Sequence, residues 1–110
     1  MMNNIKFSEL IEKIQKGETE QFLLDNSIEI EYDLIDLYTK DTVNINCEVR
    51  FFNAEEIVNE IFINVDGIDY ENICPLNMLE DLVNDFTPDN PDLNSTEIAN
   101  KILSYLENDA

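Results

Sequence analysis

The dipeptide Asp66-Gly67 constrains this chain more than any other feature, because it is the signature of a two-residue hairpin turn set between alternating apolar runs. Closing the turn there pairs Val65 with Ile68 and puts Ile63 opposite Tyr70. Both pairs are apolar and keep to one face, the cross-strand consistency a hairpin needs. A hairpin over residues 61–72 is therefore expected, and with it an antiparallel sheet.

Two earlier segments also repeat every second residue. From Ser27 onward, Ile28, Ile30, Tyr32 and Leu34 share one face, while Glu29, Glu31 and Asp33 share the other. After a turn near Lys40-Asp41, Val43, Ile45, Cys47, Val49 and Phe51 alternate with Asn44, Asn46, Glu48 and Arg50. Both read as half-buried strands and natural antiparallel partners. The stretch Asn53 to Phe62 fits two periods. Asn53 with Glu56 makes a capping box, and Ile57, Val58, Ile61 and Phe62 fit a helical face, so a short helix is expected to give way to a strand near Ile61.

Helical periodicity governs the two ends of the chain. Phe7 to Gly17 reads as a helix with Leu10, Ile11 and Ile14 on one face, Ser8 as cap and Gly17 as stop, and a shorter piece follows through Phe22 to Leu24. Pro75 opens a helix carrying Leu79, Leu82, Val83 and Phe86, broken by the segment Thr87 to Asp92. Asn94 and Glu97 form a capping box for a last helix, whose buried face is Ile98, Ala99, Ile102, Leu103, Tyr105 and Leu106. The expected fold class is α+β: a small antiparallel sheet of about four strands, with the N-terminal helix and two C-terminal helices packed on one face. A chain of 110 residues is one domain's worth, residues 1–110.

Composition narrows function by what is missing. There is no His, and Arg50 is the single arginine. Neutral-pH catalysis leans on His, on an activated Cys or Ser, or on cations that hold developing negative charge. Gly17 and Gly67 are the only glycines, so no phosphate loop or dinucleotide fingerprint can be written. Cys47 and Cys74 lack the spacing of a zinc or redox pair and read as small buried apolar residues. The oxygen-bearing run Asp85, Thr87, Asp89, Asn90 lacks the glycine and closing glutamate of a calcium loop. No enzyme activity, cofactor or metal is expected. No apolar run reaches membrane-spanning length, and Met1 to Lys6 does not have the build of a signal peptide, so a cytoplasmic protein is expected.

The formal charge is −19, from 25 acids and 6 bases, well beyond the magnitude of roughly 2–8 that keeps a small domain soluble. Residues 51–100 contain twelve acids and no Lys, Arg or His. Asp81 and Asp85 repel at i, i+4, and Asp85, Glu107 and Asp109 sit toward helix C-termini that favour cations, so local helix physics does not select them. Fourteen Ile and fifteen Asn point to AT-rich coding, in which Lys is usually common, so five Lys is few. On the expected first strand, Glu29, Glu31 and Asp33 would repeat every ~6.6–6.8 Å, the order of the phosphate spacing along a nucleic acid. Asn44, Asn46, Asn59 and Asn64 add neutral hydrogen-bonding groups suited to an interface.

Such a field repels nucleic acid and anionic lipid and draws in a basic protein. In size, charge and lack of catalytic residues, with the acids named above, the chain resembles the small acidic inhibitors encoded by phages and mobile elements, among them anti-CRISPR and antirestriction proteins that mimic DNA. The resemblance implies a non-enzymatic inhibitor that occupies the nucleic-acid site of a bacterial defence nuclease: a CRISPR effector or a restriction enzyme. The expected contact residues are Glu29, Glu31, Asp33, Glu55, Glu56, Glu60, Asp66, Asp69, Glu71, Glu80, Asp81 and Asp85. An immunity protein or antitoxin against a basic toxin nuclease would use the same electrostatics. An acidic adaptor would instead expose apolar residues such as Phe52 or Phe62. Mutual repulsion between protomers favours a monomer.

Overall fold

A computed structural model describes residues 5–40, 42–57 and 60–109; Asp41, Val58, Asn59 and the stretch 1–4 named above lie outside them. Along the chain stand β1 (Ile5–Lys6), α1 (Phe7–Gln15), α2 (Thr19–Asp25), a 3-10 turn (Tyr32–Leu34), β2 (Ile35–Thr39) and β3 (Glu48–Asn53). There follow β4 (Phe62–Val65), β5 (Ile68–Pro75), α3 (Leu76–Asp89) and α4 (Ser95–Asp109). The architecture is α+β, with the strands in the order β1-β3-β2-β5-β4 and every neighbouring pair antiparallel. Five strands stand where about four are expected: Ile5–Lys6 pairs with Glu48 and Val49 as a short edge, and β2 takes the place of the strand expected before it.

The hairpin closes as its sequence dictates. Val65 pairs with Ile68 and Ile63 with Tyr70, and Asp66 and Gly67 take φ of 54° and 83°, the left-handed pair a type I′ turn requires. At the other end of the chain, α1 stops in a Schellman motif: Gly17 at φ 69°, its N–H on the Ile14 carbonyl and the Glu18 N–H on that of Lys13. Ser8 is not the cap. The N–H groups of Phe7 and Ser8 donate to the carbonyls of Cys47 and Ile45, and that of Lys6 to Glu9 Oε1, so neighbouring chain satisfies the first turn.

Two expected elements are corrected. Residues 28–31 are irregular and lead into the 3-10 turn, so the 27–34 strand does not exist, although Ile28 and Ile30 still turn inward and Glu29 and Glu31 outward. Ser27 at φ 55° bends the chain, and the ladder starts only at Ile35, opposite Asn53. After Asn53 there is a turn rather than a helix: Asn53 Oδ1 accepts from the Glu55 N–H and its carbonyl from that of Glu56, the Asx geometry that competes with helix. Two boundaries also move. The second period-two segment enters a strand only from Glu48, though Cys47, Val49 and Phe51 are buried as expected. Helix α3 continues through Pro88 to Asp89, because Asn90 Nδ2 donates to the Phe86 carbonyl and closes the last turn.

One face of the sheet carries the helices. Phe7, Leu10, Ile11 and Ile14 of α1, Leu79, Leu82 and Val83 of α3, and Ile98, Ala99 and Ile102 of α4 pack with Ile35, Leu37, Val49, Phe51 and Cys74. The opposite face has its own aromatic cover: Phe52 meets Tyr38 and Tyr70 edge-on at ring separations of 5.5 and 5.1 Å. The reciprocal capping box of α4 forms as expected, Glu97 N–H to Asn94 Oδ1 and Asn94 N–H to Glu97 Oε1.

Leu79 is fully buried and Phe62 is 66% exposed. Leu79→Ala is expected to lower unfolding free energy by about 2–5 kcal/mol, and Phe62→Ala to stay within about 0.5 kcal/mol of the parent, both read by urea denaturation.

Candidate functional site

None of the twelve expected contact acids is buried. Glu29, Glu31, Asp33, Glu55, Glu56, Glu60, Asp66, Asp69, Asp81 and Asp85 are exposed, and Glu71 and Glu80 are half-exposed. The ion pairs that can be described are Lys13–Glu18 at 3.6 Å and Lys16–Glu12 at 2.8 Å, both at α1 and involving none of the twelve. These carboxylates therefore face solvent and take part in neither of those pairs.

The structure brings them together in two groups. The first surrounds Tyr32, whose hydroxyl donates to Glu80 Oε1 across from the 3-10 turn to α3. Burial, the bond to Glu80 and the charges of Glu80, Asp81 and Asp33 together push the Tyr32 phenol well above its ordinary range, so it stays a proton donor. Nothing in the sequence marks Tyr32 as the point where residues 33 and 80–81 meet; it read as an inward residue of a strand. The second group lies on the hairpin. Glu56 and Asp66 border one depression with Ile57, Ile63, Asn64 and Val65, and Asp69 and Glu71 border another with Lys40, Thr42, Phe62 and Tyr70. Asp33 and Asp66–Asp69 lie toward opposite ends of the strand layer, separated by roughly the 24 Å span of an eight-residue strand. Glu29, Glu31, Glu55, Glu60 and Asp85 are exposed.

The phosphate-like spacing is also relocated. With no strand at 29–33, Asp69 and Glu71 of β5 are the pair that shares a strand face at i, i+2. Two of the Asn side chains are engaged internally: Asn44 bonds the Thr42 carbonyl and the Asn46 N–H, and Asn64 donates to Asp69 Oδ1 at 2.9 Å. Phe52 is half-buried in the aromatic cover, whereas Phe62 and its neighbour Ile61 are each 66% exposed.

Other chemistry finds little footing. Among the described residues no group of three Asp, Glu or Cys is gathered closely enough to hold a metal ion, and no helix is long and apolar enough to cross a membrane. Cys47 and Cys74 are buried, and burial pushes the Cys74 thiol up to about 12. Comparison with protein-family models, with curated proteins and with solved structures finds no match in any of the three.

Two outcomes follow. Neither thiol is expected to react with Ellman's reagent in the folded protein at pH 8, and both should react in denaturing urea. Asp36, on β2, has its carboxyl pushed above the usual range by desolvation. A raised folded pKa contributes stability that is whole below the unfolded value of about 3.9 and is lost as pH rises through the folded value. Asp36→Asn should accordingly raise Tm at pH 7 and give no advantage near about pH 3, measured by thermal melts across that window.

Proposed function

We propose that this protein is a non-enzymatic acidic inhibitor, of phage or mobile-element type, acting in the bacterial cytoplasm as a nucleic-acid mimic. Its partner is the basic nucleic-acid site of a defence nuclease, such as a CRISPR effector or a restriction enzyme. The observation that carries this reading is the unneutralised state of the acids: twelve carboxylates reach solvent, and none of them takes part in either ion pair that can be described. A surface of that kind accelerates encounter with a cationic groove and offers charge where phosphates would lie.

Exposure of Ile61 and Phe62 favours a second reading, an adaptor whose contact is apolar. One experiment separates the two. A tagged protein is used to capture partners from nuclease-treated bacterial lysates, washed at low and high salt. The inhibitor reading predicts a basic nucleic-acid enzyme that is lost at high salt and competed by DNA. Lysine replacement of Asp33, Glu80 and Asp81, or of Glu56, Asp66 and Asp69, should then weaken binding at least ~10-fold, about 1.4 kcal/mol, for the group in contact. Undiminished binding by both triple variants, with circular dichroism unchanged, would overturn it. A salt-resistant partner lost on Phe62→Ser establishes the adaptor, and a toxin nuclease encoded beside this protein establishes immunity.

A further inference from the structure

One depression of the surface has a composition the others lack. Thr19, Glu20 and Leu23 of α2, Tyr32 of the 3-10 turn and Glu80 of α3 line a cleft of about 340 Å³. No cation stands among them. Glu20 and Glu80 bring carboxylates from two elements, and Tyr32, 42% exposed, presents a ring whose hydroxyl is engaged by Glu80. Leu23 adds a half-buried apolar wall. Thr19 is 6% exposed, and its hydroxyl oxygen is buried with no hydrogen-bond partner, which a folded protein rarely leaves unanswered.

The geometry points to a receptacle for an arginine side chain, supplied by the basic partner and seated between Glu20 and Glu80 with its plane on Tyr32. This inference rests on the inhibitor reading and adds the anchor through which the partner is held. A guanidinium fits each wall by its chemistry. Its five donors in a rigid fork answer two carboxylates on different elements. Its face stacks on an aromatic ring, and a phenol that donates to a carboxylate is the richer in electrons for it. Its three methylenes cover Leu23 while the charge stays among acids. Asp33 and Asp81, whose charges also act on Tyr32, disfavour an anionic occupant and favour a cationic one. An ammonium, compact and strongly hydrated, would satisfy one carboxylate and forgo the stacking.

The test uses the isolated protein, labelled with ¹⁵N and titrated at low ionic strength with N-acetyl-arginine methylamide. Saturable shifts are expected at the amides of Thr19, Glu20, Leu23, Tyr32 and Glu80. The citrulline analogue, neutral but of the same shape, should give none, and the lysine analogue should bind several-fold more weakly. Glu20→Gln with Glu80→Gln should weaken binding at least tenfold, Tyr32→Leu severalfold, and the equal-charge control Asp92→Asn with Glu97→Gln should change little. Shifts spread over the whole acidic surface without saturation, or equal binding by the Glu20/Glu80 variant and the control, would overturn the cleft. Lysine binding as tightly as arginine would overturn the guanidinium assignment. No partner enters this titration, so its failure is distinct from failure of the lysate capture that tests the inhibitor reading.

Discussion

Burial of β2 on both faces is the constraint from which the rest of the fold follows. Ile35 and Leu37 are shut against the helices, while Tyr38, next in sequence and pointing the other way, is equally inaccessible on the far face. A buried tyrosine needs apolar cover for its ring and a partner for its hydroxyl. Phe52 supplies part of the cover, and the carbonyl of Glu60 accepts from Tyr38 Oη at 3.1 Å. Glu60 is therefore held at Tyr38 just ahead of β4, and β4 takes the far edge of the sheet, beyond β2 and β5 from β3. The bulge where Leu37 faces Cys74 and Tyr38 faces Asn72 leaves Ile73 as the extra residue, and both Ile73 and Cys74 are buried in the helix-side core.

The same double burial explains which parts of the fold could be read from sequence. The hairpin, the Gly17 stop and the Asn94–Glu97 capping box are decided by residues within a few positions of one another, and each is found where its local chemistry puts it. Strand β2 is decided by what lies above and below it. Ile-Asp-Leu-Tyr-Thr does not alternate, because a strand covered on both faces has no wet side to mark. The neighbouring segment 27–34 does alternate, for a different reason: Ile28 and Ile30 pack against the core from an irregular stretch while Glu29 and Glu31 face water. Period two reports alternating burial, and alternating burial does not require a ladder of hydrogen bonds.

For the acids, the sequence identified the carboxylates but not their grouping. Grouping depends on long-range contacts such as Tyr32 to Glu80, forty-eight positions apart, for which no spacing rule exists. Exposure of the twelve acids limits what the charge costs the fold, since repulsion between solvated carboxylates is weakened by water and by salt. Asp36 is the informative exception, a half-buried carboxyl on the strand that everything else encloses.

The abundance of asparagine then takes on a physical meaning other than an interface. A helix C-terminus leaves carbonyls unsatisfied, and Lys or Arg commonly answers them. Here α2, α3 and α4 have no basic residue in their last turns. Asn26 donates to the Phe22 carbonyl at 2.8 Å, Asn90 to that of Phe86 at 2.9 Å and Asn108 to that of Ser104 at 2.9 Å. An amide supplies the missing donor without bringing a positive charge. Three helices are thus closed while the surrounding field stays negative, so the neutral amides and the unpaired carboxylates belong to one electrostatic arrangement.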